Sequence, residues 1–270
     1  MIQNSTHATK VVHLFHKIQD TMYKFIASCC FCIVSLVSCN NNRLENYYYP
    51  IGNLSSGLIY EYESPETGHK DYVYVQSLRD EDKQWRLVKT SYGANFQQYS
   101  IIKEKKLEDG MVYEDYMFLI PDSTGITRNY KAQIKEDNVA YPFAPQKDSL
   151  AFYRFEMEYR LPPDLDLVIK FVGDRKYKGF QQYNWNGTAT TVAVIERKAT
   201  YNFSDPNKGG SWNQEGFQTE YYAKGIGLIY SKSIRREQDR TLVNERTLTR
   251  RYPMTEFLKM ANQQGVFEKK

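Results

Sequence analysis

The sequence is poor in the residues that carry most protein chemistry. It holds four cysteines and four histidines in 270 residues. Past position 39 there is no cysteine, and His69 is the only histidine. A metal or redox centre built on Cys and His therefore has no donor set in the main body of the chain. A nucleophile–base hydrolase is excluded on similar grounds, since His69 sits in the turn-like stretch "PETGHKD" and no G-x-S-x-G elbow occurs to present a serine. Long apolar runs are missing apart from one at 25–37, and that one is shorter than the about 20 residues a helix needs to span a bilayer. A sustained basic stripe is missing too. Of the net charge of +4, Lys10, Lys17 and Lys24 against Asp20 supply +2 before Cys39, so no nucleic-acid partner is expected of the remainder. "GIGLIY" lacks the third glycine and the following helix of a phosphate loop.

The stretch "MYKFIASCCFCIVSLVSCNNN" at 22–42 contains all four cysteines. Cys29 and Cys32 form a C-x-x-C, but Ile26, Ala27, Phe31, Ile33, Val34, Leu36 and Val37 surround them, and no second ligand pair follows. The same residues make a leader: Lys24 is a short positive region, 25–37 an apolar core of signal-peptide length, and small residues follow. A start at Met22 gives this leader a conventional length, whereas 1–21 would be an unusually long basic region, so Met22 is the expected true start. Leu36-Val37-Ser38-Cys39 resembles the lipobox of bacterial lipoproteins. That resemblance implies cleavage before Cys39 and a diacylglycerol on its thiol. Cys29, Cys30, Cys32, His7, His13 and His16 would leave with the leader, and no disulfide could form in what remains.

What the chain does have is tyrosine, 23 against 14 Phe and 3 Trp, with only Tyr23 in the leader, and through the body a period-2 alternation of apolar and polar residues that marks half-buried strands. In 150–161, Tyr153, Phe155, Met157, Tyr159 and Leu161 take one face and Arg154, Glu156, Glu158 and Arg160 the other. Similar runs occur at 58–63, 72–78, 85–92, 98–105, 111–120, 127–134, 167–172, 177–185, 190–203, 218–223, 227–234 and 240–252, about thirteen strands in all. Turn signals such as Asn186-Gly187 and Gly173-Asp174 link many of them as hairpins. The expected fold is all-β: a long-stranded antiparallel up-and-down meander that curls into a curved sheet or open barrel. One short C-terminal helix is predicted in "PMTEFLKMANQQG", to plug or flank an opening. The domain plan is a signal peptide at 1–38, a flexible tether at 39–46 and a single β-sheet domain at 47–270. A membrane-spanning barrel is disfavoured because 240–252 places charge on both faces, and a basic group at the bilayer midplane costs about 2–4 kcal/mol.

Candidate sites are few. Glu156 and Glu158 lie about 6.6 Å apart along one strand face, which admits a paired-carboxylate hydrolase but fits a cross-strand ion-pair ladder better. "DPNKGGSWNQEG" has Asp205, Asn207 and Gly210 at calcium-loop positions, but Gly216 stands where the bidentate Glu belongs. No metal or cofactor is expected. Tyr177, Phe180, Tyr183 and Trp185 cluster on one strand and are the candidate ligand-binding aromatics.

Tyr49, Pro50, Gly52 and Asn53, with Tyr222, Ala223, Gly225, Gly227 and Leu228, carry a further resemblance. The chain resembles a group of Bacteroidota outer-membrane lipoproteins with an aromatic-Pro-x-Gly-Asn segment before the first strand and a Y-A-x-G-[IV]-G-L segment near the end. The resemblance implies an envelope lipoprotein, lipid-anchored through Cys39, and supplies no catalytic residue. "NNNRLE" lacks the acidic run that directs some such proteins to the cell surface, which favours a periplasm-facing outer-membrane anchor. The expected function is non-enzymatic binding of an apolar ligand or an envelope partner on the concave face of the sheet. A glycan-binding module using exposed Tyr and Trp is the alternative.

Overall fold

In the computed structural model the alternating runs become one antiparallel sheet. The structure describes residues 43–135, 138–144, 153–207, 209–237 and 240–266; the leader, Cys39 and the start of the tether lie outside them. The strands are β1 (Leu58–Glu63), β2 (Lys70–Arg79), β3 (Trp85–Tyr92), β4 (Gln98–Lys106), β5 (Gly110–Pro121), β6 (Thr127–Lys131), β7 (Gln133–Ile134), β8 (Val139–Pro142), β9 (Tyr153–Leu161), β10 (Asp164–Trp185), β11 (Thr188–Asp205), β12 (Gly210–Ala223), β13 (Gly227–Glu237) and β14 (Arg240–Tyr252). They are followed by helix α1 (Met254–Gln263).

Consecutive strands pair from β1 to β6 and from β9 to β14, and β14 returns to β1. The remaining gap, between β5 and β9, is bridged by one stretch of chain. β6 pairs with β5 and β7 with β9; between them the Ala132 amide donates to the Tyr116 carbonyl (2.9 Å). β8 then pairs with the start of β5, and the Asn138 Oδ1 accepts from the Glu156 amide (2.8 Å). The meander thus curls into a nearly closed barrel, as expected of long, sequentially paired strands.

Each strand sends one phase inward. On β9, Phe155 and Met157 are buried, while Arg154 reaches Asp174 (2.9 Å) and Glu156 reaches Lys170 (2.9 Å) on the outer face. Glu156 is therefore part of an ion-pair ladder, of the exposed kind worth about 0–1 kcal/mol per pair. The β10–β11 turn is the expected one, with Asn186 (φ 50°) and Gly187 (φ 79°) in the left-handed region that a two-residue hairpin requires. The calcium-like loop is a hairpin connection between β11 and β12 in which the Asp205 carboxylate accepts from the Asn207 amide (2.9 Å).

Three expectations need correction, and one short strand was not foreseen. The turn at Gly173-Asp174 does not exist: β10 runs straight through, and a Cβ at Gly173 would lie 3.1 Å from the Phe171 ring and 3.3 Å from Arg197 Cδ, so the glycine makes room inside the barrel. Strand β8 had no periodic signal, being only four residues long. Leu44, assigned to the tether, is fully buried, so the folded unit includes 44–46. Finally, α1 does not stop an opening. Its Phe257 and Ala261 cover Ile59, Tyr72 and Tyr252, which lie on the outer face of β1, β2 and β14, opposite in phase to the inward Tyr60 and Val73.

The stopper is instead the segment before β1. Leu44, Tyr47, Tyr48, Tyr49, Ile51 and Leu54 are all buried in the main core, carried on two short 3-10 turns, Leu44–Tyr47 and Ile51–Asn53. Its seat is the β12–β13 turn. The Gly225 amide donates to the Asn46 carbonyl (2.9 Å), and Gly227 (φ 102°) leaves space that Tyr49 fills, since a Cβ there would lie 2.6 Å from the ring. Inside, Tyr60 and Tyr62 donate to the carbonyls of Ile226 (3.0 Å) and Leu228 (2.9 Å), and Tyr141 donates to the Leu44 carbonyl (3.2 Å). A buried tyrosine needs such a partner for its hydroxyl, and the plugged end supplies one to each of these three.

Candidate functional site: the barrel lumen

Beyond the plug the interior is not filled. A cavity of about 310 Å³ remains, at the small end of the roughly 300–1,000 Å³ typical of ligand pockets. One part of its wall is aromatic and apolar: Tyr113, Tyr116, Phe118, Phe155, Met157, Tyr159, Phe171 and Tyr201. These rings pack on one another, with Tyr113 and Phe155 centroids 4.1 Å apart and Phe118 and Tyr159 4.7 Å apart.

The other part is charged. Lys89, Arg175, Arg197, Glu220 and Arg246 line the same space. Each comes from an inward strand position: Lys89 two residues from buried Leu87, Arg197 between Ile195 and Ala199, and Arg246 before Leu248. At the plug, Lys89 pairs with Glu104, a fully buried carboxylate that also accepts from the Tyr48 hydroxyl. Arg175 donates to the Ala140 carbonyl and stands 3.8 Å from Glu220. Arg197 donates to Gln218, and Arg246 donates to the Ser231 hydroxyl (3.1 Å) while lying over the Tyr62 ring (4.8 Å). Burial alone would raise the Glu220 carboxyl, but Arg175 and Arg197, the Tyr222 hydroxyl and Lys89 together hold it below its ordinary value. Asp71 of β2, opposite inward Tyr62, acts on Arg246 as well, so the four cations face three carboxylates.

The walls differ in height. β1 pairs only with Thr247–Tyr252 of β14, and β4 reaches only Phe118 of β5, so the strands β1 to β4 stop well short of the far ends of β5 and β14. Arg246 sits just beyond the end of β1. The lumen is sealed by the plug at one end and bounded by a lower wall at the other.

The aromatics singled out from the sequence lie elsewhere. Tyr177 and Phe180 pack together (5.6 Å), and Phe180 also meets Tyr47 of the plug (4.8 Å). Tyr183 packs against Tyr221 (5.0 Å) and Tyr230 (5.4 Å). Trp185 donates its indole N–H to the Leu248 carbonyl (2.8 Å). The tip of the β10–β11 hairpin therefore leans over β12–β14 and spends these rings on packing. His69 is an exposed turn residue 3.6 Å from Asp71. Among the described residues no group of three His, Cys, Asp or Glu is placed to hold a metal; Cys39 lies outside them.

The lumen cations were missed for a specific reason. Splitting β10 at Gly173 lost the phase that puts Arg175 inside. Arg197 was legible, because it shares its strand phase with Ile195 and Ala199 within "TVAVIERKAT".

No family model matches the chain, and no curated protein does. Two solved structures are similar to it. One is named a "putative lipoprotein" from Parabacteroides distasonis ATCC 8503, at 10% identity, covering 75% of this chain and 95% of that one, with a TM-score of 0.46. The other is named a "putative exported protein with YmcC-like fold" from Bacteroides fragilis NCTC 9343, at 12% identity, covering 76% and 98%, with a TM-score of 0.47.

Proposed function

We propose that the chain is a non-enzymatic envelope lipoprotein, acylated on Cys39 and anchored in the outer membrane facing the periplasm, whose barrel binds a small ligand in its lumen. The observation that carries the ligand half of this proposal is the unfilled, half-aromatic cavity that lies inside the barrel beyond the buried plug residues. A structural β-domain has no need of such a space, since interiors pack to crystal density and voids cost stability. The leader carries the anchoring half.

Two measurements test this. Intact-mass analysis of the chain isolated from native membranes should find an N-terminus at Cys39 carrying diacylglycerol and a further acyl chain; an unmodified chain retaining 22–38 would overturn the anchoring. Small molecules released by denaturing the washed, purified protein should include one species in near-stoichiometric amount, or the purified protein should bind added amphiphiles saturably. Failure of both would remove the lumen as a binding site.

A further inference from the structure

One pair of side chains narrows what the lumen can hold. Arg175 on β10 and Arg197 on β11 are direct cross-strand partners, and both line the cavity. Like charges directly opposite one another destabilise a sheet, and Glu220, 3.8 Å from Arg175 and accepting from the Tyr222 hydroxyl at 3.0 Å, is a single carboxylate beside two guanidiniums. The Nε atoms of both arginines are buried without a hydrogen-bond partner, and Arg175 is only 6% exposed. A buried unsatisfied donor is unfavourable by about 1–3 kcal/mol. Two such donors on facing residues form a deficit that one multi-oxygen acceptor would fill. The surroundings complete the site: Arg175 lies over the Tyr113 ring (5.8 Å) and Arg197 over the Phe171 ring (5.6 Å), so an acid group held there has apolar wall on its other side.

Resting on the assignment of the lumen as a ligand pocket, we propose that its occupant is an amphipathic organic anion. A carboxylate or phosphate sits between Arg175 and Arg197, and the apolar body lies along Phe155, Met157 and Tyr159. At about 310 Å³, the small end of ligand pockets, the cavity suits a ligand with a short body. Planar guanidiniums match the oxygens of either acid as a fork.

The test uses the full chain in nanodiscs and isothermal titration with four probes: 4-phenylbutyrate, phenyl phosphate, the neutral 4-phenylbutanol and inorganic phosphate. At least one aryl acid should bind tenfold or more tightly than both the alcohol and inorganic phosphate, and which acid it is separates a carboxylate from a phosphate ligand. Arg197→Gln should weaken that acid at least tenfold and leave the alcohol within twofold. Arg197→Lys, which keeps the charge but loses the fork, should give a smaller loss and serves if the Gln variant does not fold. Equal binding of acid and alcohol would overturn the anion assignment while leaving the lumen as a pocket. Binding of inorganic phosphate as tight as the aryl acids would overturn the amphipathic part, and no binding by any probe would overturn both.

Discussion

The two ends of the barrel treat their polar groups differently. At the plugged end the hydroxyls of Tyr48, Tyr60, Tyr62 and Tyr141 each reach an acceptor and Lys89 and Glu104 neutralise one another, leaving the small Ser77 hydroxyl beside Leu54 without a partner but, among the described residues there, no charged group unsatisfied. Halfway along the lumen, two arginines face each other across a ladder, each with an orphaned N–H. A fully satisfied buried network rigidifies a core, whereas an unsatisfied one costs stability and persists where function requires it. The plug reads as the part of the interior organised for stability, and the arginine belt as the part where the proposed ligand would supply the missing acceptors.

That contrast can be broken or sharpened by substitution. The largest effect is expected at the plug seat. Gly227→Ala adds a Cβ 2.6 Å from the Tyr49 ring at φ 102°, and left-handed strain plus overpacking should lower stability by about 4 kcal/mol, measured by urea denaturation. Next is Glu104→Gln, which leaves Lys89 without its counter-charge and should cost about 3 kcal/mol; a loss below 1 kcal/mol would show that the plug end is not held by this pair. Glu220→Gln, in the lumen, should cost less, about 2 kcal/mol at pH 7, because Arg175 keeps its bond to Ala140. The sign with pH follows from its depressed carboxyl. The stabilisation from Glu220 is fully present above the ordinary value of 4.5 and lost as pH falls through its lower folded-state value. The gap between wild type and Glu220→Gln should therefore close in acid. The smallest effect is expected for Arg197→Gln, within about 0.5 kcal/mol of wild type or slightly stabilising, since it relieves the like-charge pair. A large destabilisation there would place Arg197 with the plug network and erase the contrast between the ends.

The fold was largely legible. Period-2 alternation placed β1, β3 and β14 to the residue and most other strands within a few residues, because a one-sided sheet writes its burial pattern directly into the chain. What stayed hidden has local causes. Ala132 interrupts the 127–134 run by bonding to Tyr116, which splits β6 from β7. A bulge at Thr249 turns Arg250 outward to Glu61 although period-2 counting puts it on the face of Arg246, and bulges leave no dependable signature in a single sequence. Of the candidate site, the sequence pointed to aromatics on β10, whereas the lumen combines residues from β1–β5 and β9–β14 that no local pattern joins.

The two segments that suggested a lipoprotein relative, "YYYPIGN" and "YYAKGIGLIY", turn out to touch: Asn46 meets Gly225, Tyr49 fills the space above Gly227, and Tyr48 lies 5.9 Å from Tyr222. The chain's own pattern determined the strand phase, the hairpin turns and the amphipathic helix, since these depend on residues a few positions apart. Only the tertiary structure decided which end is sealed and which charges meet inside. Barrel closure brings together positions more than a hundred residues apart, and whether two inward arginines find a carboxylate, a ring or an unfilled space between them is set by that closure alone.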